Sequence, residues 1–368
     1  MVPSTTEHPI ERLNRQRRLF SEFKTETFST YLERDKKSVS TDRLLVLNGW
    51  SDLYTQNAYM PKQLLHLLLP DQLRAVSRCG GYWIQLGGTG IAINPGRDFL
   101  ERFHAAGFHV WDIDHVIITD QDPACSLDVH NLWSFNKEIN LLLQEWNLSP
   151  HIITYWMHSK AYEDLVSHMR PHFREEINTV HRLETFELAT ETISLASNIT
   201  LEYSPASDNK ASPLMIKLCR TEEEQEVNSI GYLANSTWNE RQTSFLNACQ
   251  ALILGIGQTS LDDEISSLGH LGVANILRSE NPPQATVISE HDFSEGDTRI
   301  ETLHYLYEEI GSTSTPLLPA ESGTTLYLDS FQVHSPSLEF PTPIRAVKIT
   351  RSKGVFSQLA FLDAQAVL

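Results

Sequence analysis

The stretch Asp112–Cys125, "DIDHVIITDQDPAC", decides how the chain reads. Its centre, "HVIIT" (115–119), is apolar and β-branched, the pattern of a strand buried on both faces. The strand then runs into a loop that delivers Asp120, Asp122, Ala124 and Cys125. Upstream, "YWIQLGGTGIAINPG" (82–96) reads as a hairpin: an apolar strand, a Gly-Gly-Thr-Gly turn, a second strand, and Pro-Gly to end it. "RDFLERFHAAGF" (97–108) reads as a short helix with Phe99, Leu100 and Phe103 on one side and Gly107 at its C-terminal cap. Downstream, "LDVHNLWSFNKEINLLLQEWN" has helical periodicity through Leu132, Phe135, Ile139, Leu142 and Leu143, and "HIITYWM" (151–157) is another strand.

Further out, residues 175–235 alternate short β-rich runs. A helix near 240–248, the strand "ALILGIG" (251–257), a helix over 271–279, the strand "ATVISE" (285–290) and a helix at 298–310 follow. "GSTSTPLLPAESG" (311–323) has the composition of a linker, and the segments beyond it are β-rich. Hairpins followed by strand–helix alternation, twice, predict two mostly antiparallel or mixed sheets packed together with helices outside. The N-terminal residues 8–37 read as a polar helix with a loose apolar stripe (Leu13, Phe20, Phe23, Phe28) and a basic patch (Arg12, Arg15, Arg17, Arg18). Such a helix suits either packing on the main domain or a partner or nucleic-acid contact.

The chain has 368 residues, 40% hydrophobic and 21% charged, enough to build a sizeable core. A formal net charge of −18 disfavours non-specific nucleic-acid binding, which needs a basic face. Cys79, Cys125, Cys219 and Cys249 are scattered without a CxxC pair, so neither a zinc finger nor a disulfide framework is expected. They read as reduced, mostly buried thiols of a cytoplasmic protein. No stretch approaches a membrane span, and "MVPSTTEHPIERLNRQRR" lacks the apolar core of a secretory signal.

Taken in order, "LNGWSDLYT" (47–55), "GGYWIQLGGTGIAINPGRDFLERF" (80–103), "DIDHVIITDQDPACSLDVH" (112–130), "SLGHLG" (267–272) and "TVISEHDFSEGDTR" (286–299) resemble metallo-β-lactamase-fold hydrolases. Among them the pattern is similar to a bacterial branch allied to phosphodiesterases and tRNA 3′-processing nucleases. The resemblance implies an αββα sandwich over residues 43–310, an N-terminal helical extension (1–42), and a linker with a C-terminal β extension (311–368). It also implies a site at one edge of the sheets, where two divalent ions share a hydroxide.

The family loop Thr-His-x-His-x-Asp-His is not kept. Thr119 stands, but the histidine positions fall on Asp120 and Asp122, the aspartate on Ala124 and the last histidine on Cys125. The upstream Asp-Pro-Gly is Asn94-Pro95-Gly96, the bridging aspartate falls on Asn235, and a further histidine falls on Gly255. Asp128, His270, Glu290 and Arg299 are retained. In this branch Glu290 takes the slot of the last metal-ligand histidine, and His270 lies where related nucleases place a histidine near the scissile phosphate.

Three readings follow. A dizinc site lacks donors, because alanine cannot coordinate and neutral amides are weak ligands. Asp120, Asp122, Asp128 and Glu290 could instead form an oxygen-rich site for Mn²⁺ or Mg²⁺, with His270 protonating a leaving group in phosphodiester hydrolysis. The third and favoured reading is an eroded site in a non-catalytic binding or regulatory subunit without a bound cofactor. Such a pseudoenzyme would hold a nucleotide or nucleic-acid end in its pocket, or pair as a homo-oligomer or with an active paralogue. Cys125 as a nucleophile served by His130 or His115, and His158 as a replacement ligand, are lesser candidates.

Overall fold

A computed structural model describes residues 9–33, 41–47, 81–168, 179–185, 189–209, 212–257, 267–291, 299–310, 315–334, 342–343, 346–351 and 357–362. Residues 48–55 and Cys79 therefore lie outside the described residues, as does the side chain of Arg299. The chain divides into two units, Met1–Ser40 and Thr41–Leu368.

The first unit holds helix α1 (Pro9–Glu33), the helix expected from the polar periodicity. Leu13, Phe20 and Phe23 are all exposed on it, and Arg18 pairs with Glu22 at 2.9 Å, one turn on. Such an exposed pair contributes a few tenths of a kcal/mol at most.

The second unit is built on two sheets. The first runs through the hairpin that the glycines specify. Strand β2 (Tyr82–Leu86) turns at Gly87-Gly88, with φ of 53° and 84°, into β3 (Thr89–Ile93). Two consecutive positive φ angles match the natural twist of a tight hairpin, and glycine adopts them without strain. β1 (Arg43–Val46) pairs antiparallel on one side of this hairpin. β4 (His115–Ile118), β5 (Thr154–His158) and β6 (Val180–Leu183) add in parallel on the other.

The second sheet begins with the meander β7 (Glu191–Ala196), β8 (Ile199–Pro205), β9 (Leu214–Glu222) and β10 (Gln225–Leu233). It continues in parallel through β11 (Ala251–Gly257), β12 (Ala285–His291) and β13 (Leu317–Pro319). Near-continuous apolar runs such as "ALILGIG" suit these parallel strands, which are covered on both faces.

Between the sheets lies a core of aliphatic and tyrosine side chains, including Ile84, Ile93 and Ile117 from one sheet and Ile216, Tyr232 and Ile253 from the other. Outside the second sheet, helices α5 (Glu240–Leu246), α6 (Gly269–Leu277) and α7 (Arg299–Ile310) bury Leu246, Val273, Leu277 and Leu306 against Leu252 and Ile288. α2 (Phe99–Ala105) and α3 (Val129–Glu145) connect the strands of the first sheet, and α4 (Ser159–His168) follows β5 directly. The α/β sandwich expected from the sequence is present.

Three details differ from expectation. The periodicity puts Phe135 on the apolar stripe of α3, yet it is exposed; Asn136 takes that place, its amide bonded to the His151 carbonyl at 3.0 Å. The helix expected at 271–279 starts two residues earlier. In the linker-like segment, Leu317 and Leu318 form the buried strand β13. Two apolar residues beside the apolar β12 gain more from burial than the flanking Ser, Thr and Pro lose. Strands β14 (Thr325–Tyr327), β15 (Gln332–His334) and β16 (Thr342–Pro343) complete the first sheet beyond β1, so residues assigned to an extension pair into both sheets. β17 (Ala346–Arg351) and β18 (Ser357–Leu362) form a separate hairpin.

At the Gly87 end of the sheets, Asp42 is fully buried and ties both together. Its Oδ1 accepts from Gly87 N at 2.8 Å. Its Oδ2 accepts from Arg220 Nη1 and Asn228 Nδ2, both at 2.7 Å. Asn228 also reaches Asp329 at 3.0 Å.

Candidate functional site

At the opposite ends of the same strands, Asn94, Asn235 and Glu290 take left-handed backbone angles, with φ of 47°, 54° and 53°. Asparagine tolerates this region better than most residues, whereas a glutamate there is strained. The Asn94 amide joins three elements. Its Nδ2 donates to Thr119 Oγ1 at 2.8 Å and to Tyr232 Oη at 2.9 Å, while its Oδ1 accepts from Thr119 N at 2.8 Å. Tyr232 Oη in turn donates a hydrogen bond to Glu290 Oε1 at 3.2 Å. Tyr82 and Ser289 share a hydrogen bond beneath, and the Tyr82 and Tyr232 rings meet edge-on with centroids 5.7 Å apart.

The two loop aspartates are similarly engaged. Asp120 is buried; its Oδ2 accepts from Asn235 Nδ2 at 2.9 Å and its Oδ1 from Asp122 N at 3.3 Å. Asp122 caps the short turn Pro123–Cys125, accepting from Ala124 N at 2.9 Å. This is a common use of aspartate at the start of a helical turn. Asp128 stands apart from this cluster: its Oδ2 accepts from Leu100 N at 3.0 Å and its Oδ1 from Asn131 Nδ2 at 2.9 Å. It ties the first turn of α2 to that of α3. His270 is buried in the first turn of α6, its ring edge-on to Tyr305 with centroids 4.8 Å apart.

Burial pushes the Glu290 carboxyl up to about 7, and the negative charges of Asp120 and Asp122 push the same way against the Tyr232 hydrogen bond. Gly255 lies against it. A Cβ at Gly255 would stand 2.6 Å from the Ala234 Cβ and 2.8 Å from Glu290 Oε2. The space that the family resemblance reserves for a histidine is thus filled by Ala234 and Glu290. Gly255→Ala is expected to cost about 1–3 kcal/mol through overpacking, read as a lowered denaturant midpoint at unchanged m-value. An unchanged midpoint would refute this account of the glycine.

A cavity of about 780 Å³ opens at this edge, lined by Asp120, Gln121, Asp122, Lys160, Asp164 and Asn235 together with hydroxyl side chains and two prolines. Neither Asp128, His270 nor Glu290 lines it. His158 lies buried nearby. Its Nδ1 accepts from Lys160 N at 3.3 Å, and its ring also bonds the Ser212 backbone. Desolvation lowers its pKa, against the raising effect of Asp120. Cys125 is buried, and His115 Nδ1 accepts from Trp156 Nε1 at 3.3 Å. Among the described residues, no group of three or more His, Cys, Asp or Glu side chains is placed to hold a metal ion.

The motifs missed three participants. Tyr232 sits inside the quoted "GYLAN", but only the packing of one sheet on the other brings its hydroxyl to Asn94 and Glu290. Lys160 and Asp164 enter the cavity from the first turns of α4, which carries no motif.

Among solved structures, a metallo-β-lactamase-fold protein of Bacillus subtilis, YhfI, aligns over 78% of this chain and 98% of its own, with a TM-score of 0.56 and 12% identity. A diphosphatase of the PhnP family aligns over 77% of this chain and 96% of its own, with a TM-score of 0.50 and 14% identity. This chain has the metallo-β-lactamase fold. At these identities the likeness is one of fold. No family model and no curated protein matches the sequence. The αββα arrangement places the Asn94–Glu290 cluster and the cavity at the edge where strands of both sheets end, the edge that the resemblance assigns to the metal ions. Among the described residues, no helix of this metallo-β-lactamase-fold chain is long and apolar enough to cross a membrane.

Proposed function

We propose that this protein is a non-catalytic member of a phosphodiesterase-like lineage that works by binding, its metal site replaced by a hydrogen-bonded network. One observation carries the reading: Asp120 Oδ2 accepts an amide N–H from Asn235, the residue at the position of the family's bridging aspartate. An amide N–H directed at a carboxylate takes the place of positive charge, and it supplies no lone pair to a metal. Asn94 supports the same reading, since both its N–H groups and its carbonyl are spent on Thr119 and Tyr232. The neutral amides also leave fewer carboxylates crowded around Glu290, which a site without a divalent ion requires. The residues present do not fit a pair of zinc ions, because the set of imidazoles and carboxylates that such a pair needs does not assemble among the described residues.

Protein purified without added metal is expected to contain well under one equivalent of zinc, manganese or magnesium by emission spectroscopy. Hydrolysis of bis(4-nitrophenyl) phosphate should not rise above background in Mn²⁺, Mg²⁺ or Zn²⁺. Stoichiometric metal, or turnover that Asp120→Ala abolishes, would overturn the proposal in favour of an oxygen-rich hydrolase site.

A further inference from the structure

Every described side chain of α1 is exposed. Helices rich in Thr, Ser and Phe gain little from intrinsic propensity and owe their stability to burial of one face. α1 has such a face. Leu13, Gln16, Phe20 and Phe23 follow one another at spacings of three, four and three residues, so they stack in one row along the helix. Phe20 and Phe23 are 69% and 65% exposed, and Leu19, also exposed, borders them.

The row beside the apolar one decides what can cover it. Arg12, Arg15, Leu19, Glu22 and Glu26 repeat the three-and-four spacing, basic in the first half of α1 and acidic in the second. The whole halves have the same polarity: residues 9–19 carry Arg12, Arg15, Arg17 and Arg18 against Glu11, and residues 20–33 carry Glu22, Glu26 and Glu33 against Lys24. Such a helix is complementary to itself run in the opposite direction. With Leu13 layered on Phe23 of a second copy, Arg12 falls opposite Glu26 of that copy. Run in the same direction, Arg12 would face Arg17 of the second copy. Charges flanking an apolar seam set helix orientation in this way. A polyanion laid along α1 would instead meet repulsion from the acidic half. The chain as a whole carries −18, which makes two copies repel, but residues 1–40 hold eight Lys and Arg against six Asp and Glu.

We propose that α1 is a self-association element: two copies of the chain pair through antiparallel α1 helices. Leu13, Leu19, Phe20 and Phe23 form the seam, and Arg12 and Glu26 meet at its edge. The inference is independent of how the pocket is read.

Sedimentation equilibrium of the full chain tests it, in about 0.15 M salt, where charges are screened beyond about 8 Å. A reversible monomer–dimer equilibrium with a Kd of about 1–100 μM is expected for so small a seam. Phe20→Ser with Phe23→Ser should weaken pairing at least about tenfold, through loss of apolar burial. Because those changes also alter the helix itself, a charge exchange supplies the second test. Arg12→Glu sets like charges opposite each other at both ends of the seam and should weaken pairing about tenfold. Arg12→Glu combined with Glu26→Arg should bring it back to within about threefold of the parent. A chain that stays monomeric to about 200 μM, as it would if α1 served a nucleic acid or a lipid surface, would overturn the proposal. So would a dimer unmoved by the serine variant, tighter pairing on Arg12→Glu (the sign expected of a parallel pair), or no recovery in the exchanged variant.

Discussion

Asp42→Ala is expected to destabilise the fold by about 3–5 kcal/mol, the cost of removing one partner from a buried ion pair. Asp42 is fully buried and accepts hydrogen bonds from Gly87, Arg220 and Asn228. These partners come from the β2–β3 turn, β9 and β10, so one carboxylate links the two sheets. Its removal leaves Arg220 mostly enclosed, with a side chain only 16% exposed, beside a void. The other acid on Arg220 supplies the control. Glu222 also bonds the guanidinium but is half exposed, and solvent screening limits such a contact to under about 1 kcal/mol. Urea titration of the two variants should therefore separate them by several-fold in ΔΔG. Equal losses would mean that Asp42 is not the clasp between the sheets.

Glu290→Gln is expected to stabilise the protein above neutral pH, an unusual outcome for a buried acid. The Glu290 carboxyl is held near 7 by burial, with Asp120 and Asp122 adding to the shift. Its folded pKa therefore lies above its unfolded value, and the sign follows. Between the ordinary carboxylate value of 4.5 and about 7, the unfolded chain has lost a proton that the folded chain keeps. Stability falls across that window and levels off above it. At about 1.4 kcal/mol per pH unit, the group costs roughly 3 kcal/mol at pH 8. Glutamine keeps an acceptor for Tyr232 and carries no charge to bury. The variant should match the parent near pH 4–5 and exceed it by about 2–3 kcal/mol at pH 8, measured by denaturant unfolding in a chelator. Were Glu290 an indispensable ionised group, the substitution would lower stability at pH 8 instead. That result would also leave the neutral amides around it without a physical reason.

The two experiments probe opposite ends of the same strands. At the Gly87 end the sheets are joined by a charge that is fully compensated. At the Asn94 end a carboxyl is tolerated because it holds its proton and because its neighbours are amides. That contrast is the physical content of the proposed function: the fold keeps a site edge with left-handed strand ends but satisfies them internally.

The layers were legible from residue order alone. Apolar runs such as "HVII" and "ALILGIG" fix strands buried on both faces, the Gly87-Gly88 turn fixes a tight hairpin, and Gly107 ends α2, because these signals depend on residues close in the chain. Residue identity in an ordered set of motifs also showed which donor positions of the site had changed. It could not show that Asp128 would be spent on Leu100, that Tyr232 would join Asn94 to Glu290, or that Lys160 and Asp164 would enter the cavity. Nor could it place Leu317 and Leu318 inside the second sheet, because their linker-like surroundings hide a strand that only β12 makes worthwhile. These outcomes rest on contacts between residues tens to hundreds of positions apart. Tertiary packing decides them: a carboxylate or hydroxyl takes whichever partner the folded chain brings within hydrogen-bonding distance, and no local pattern records that choice.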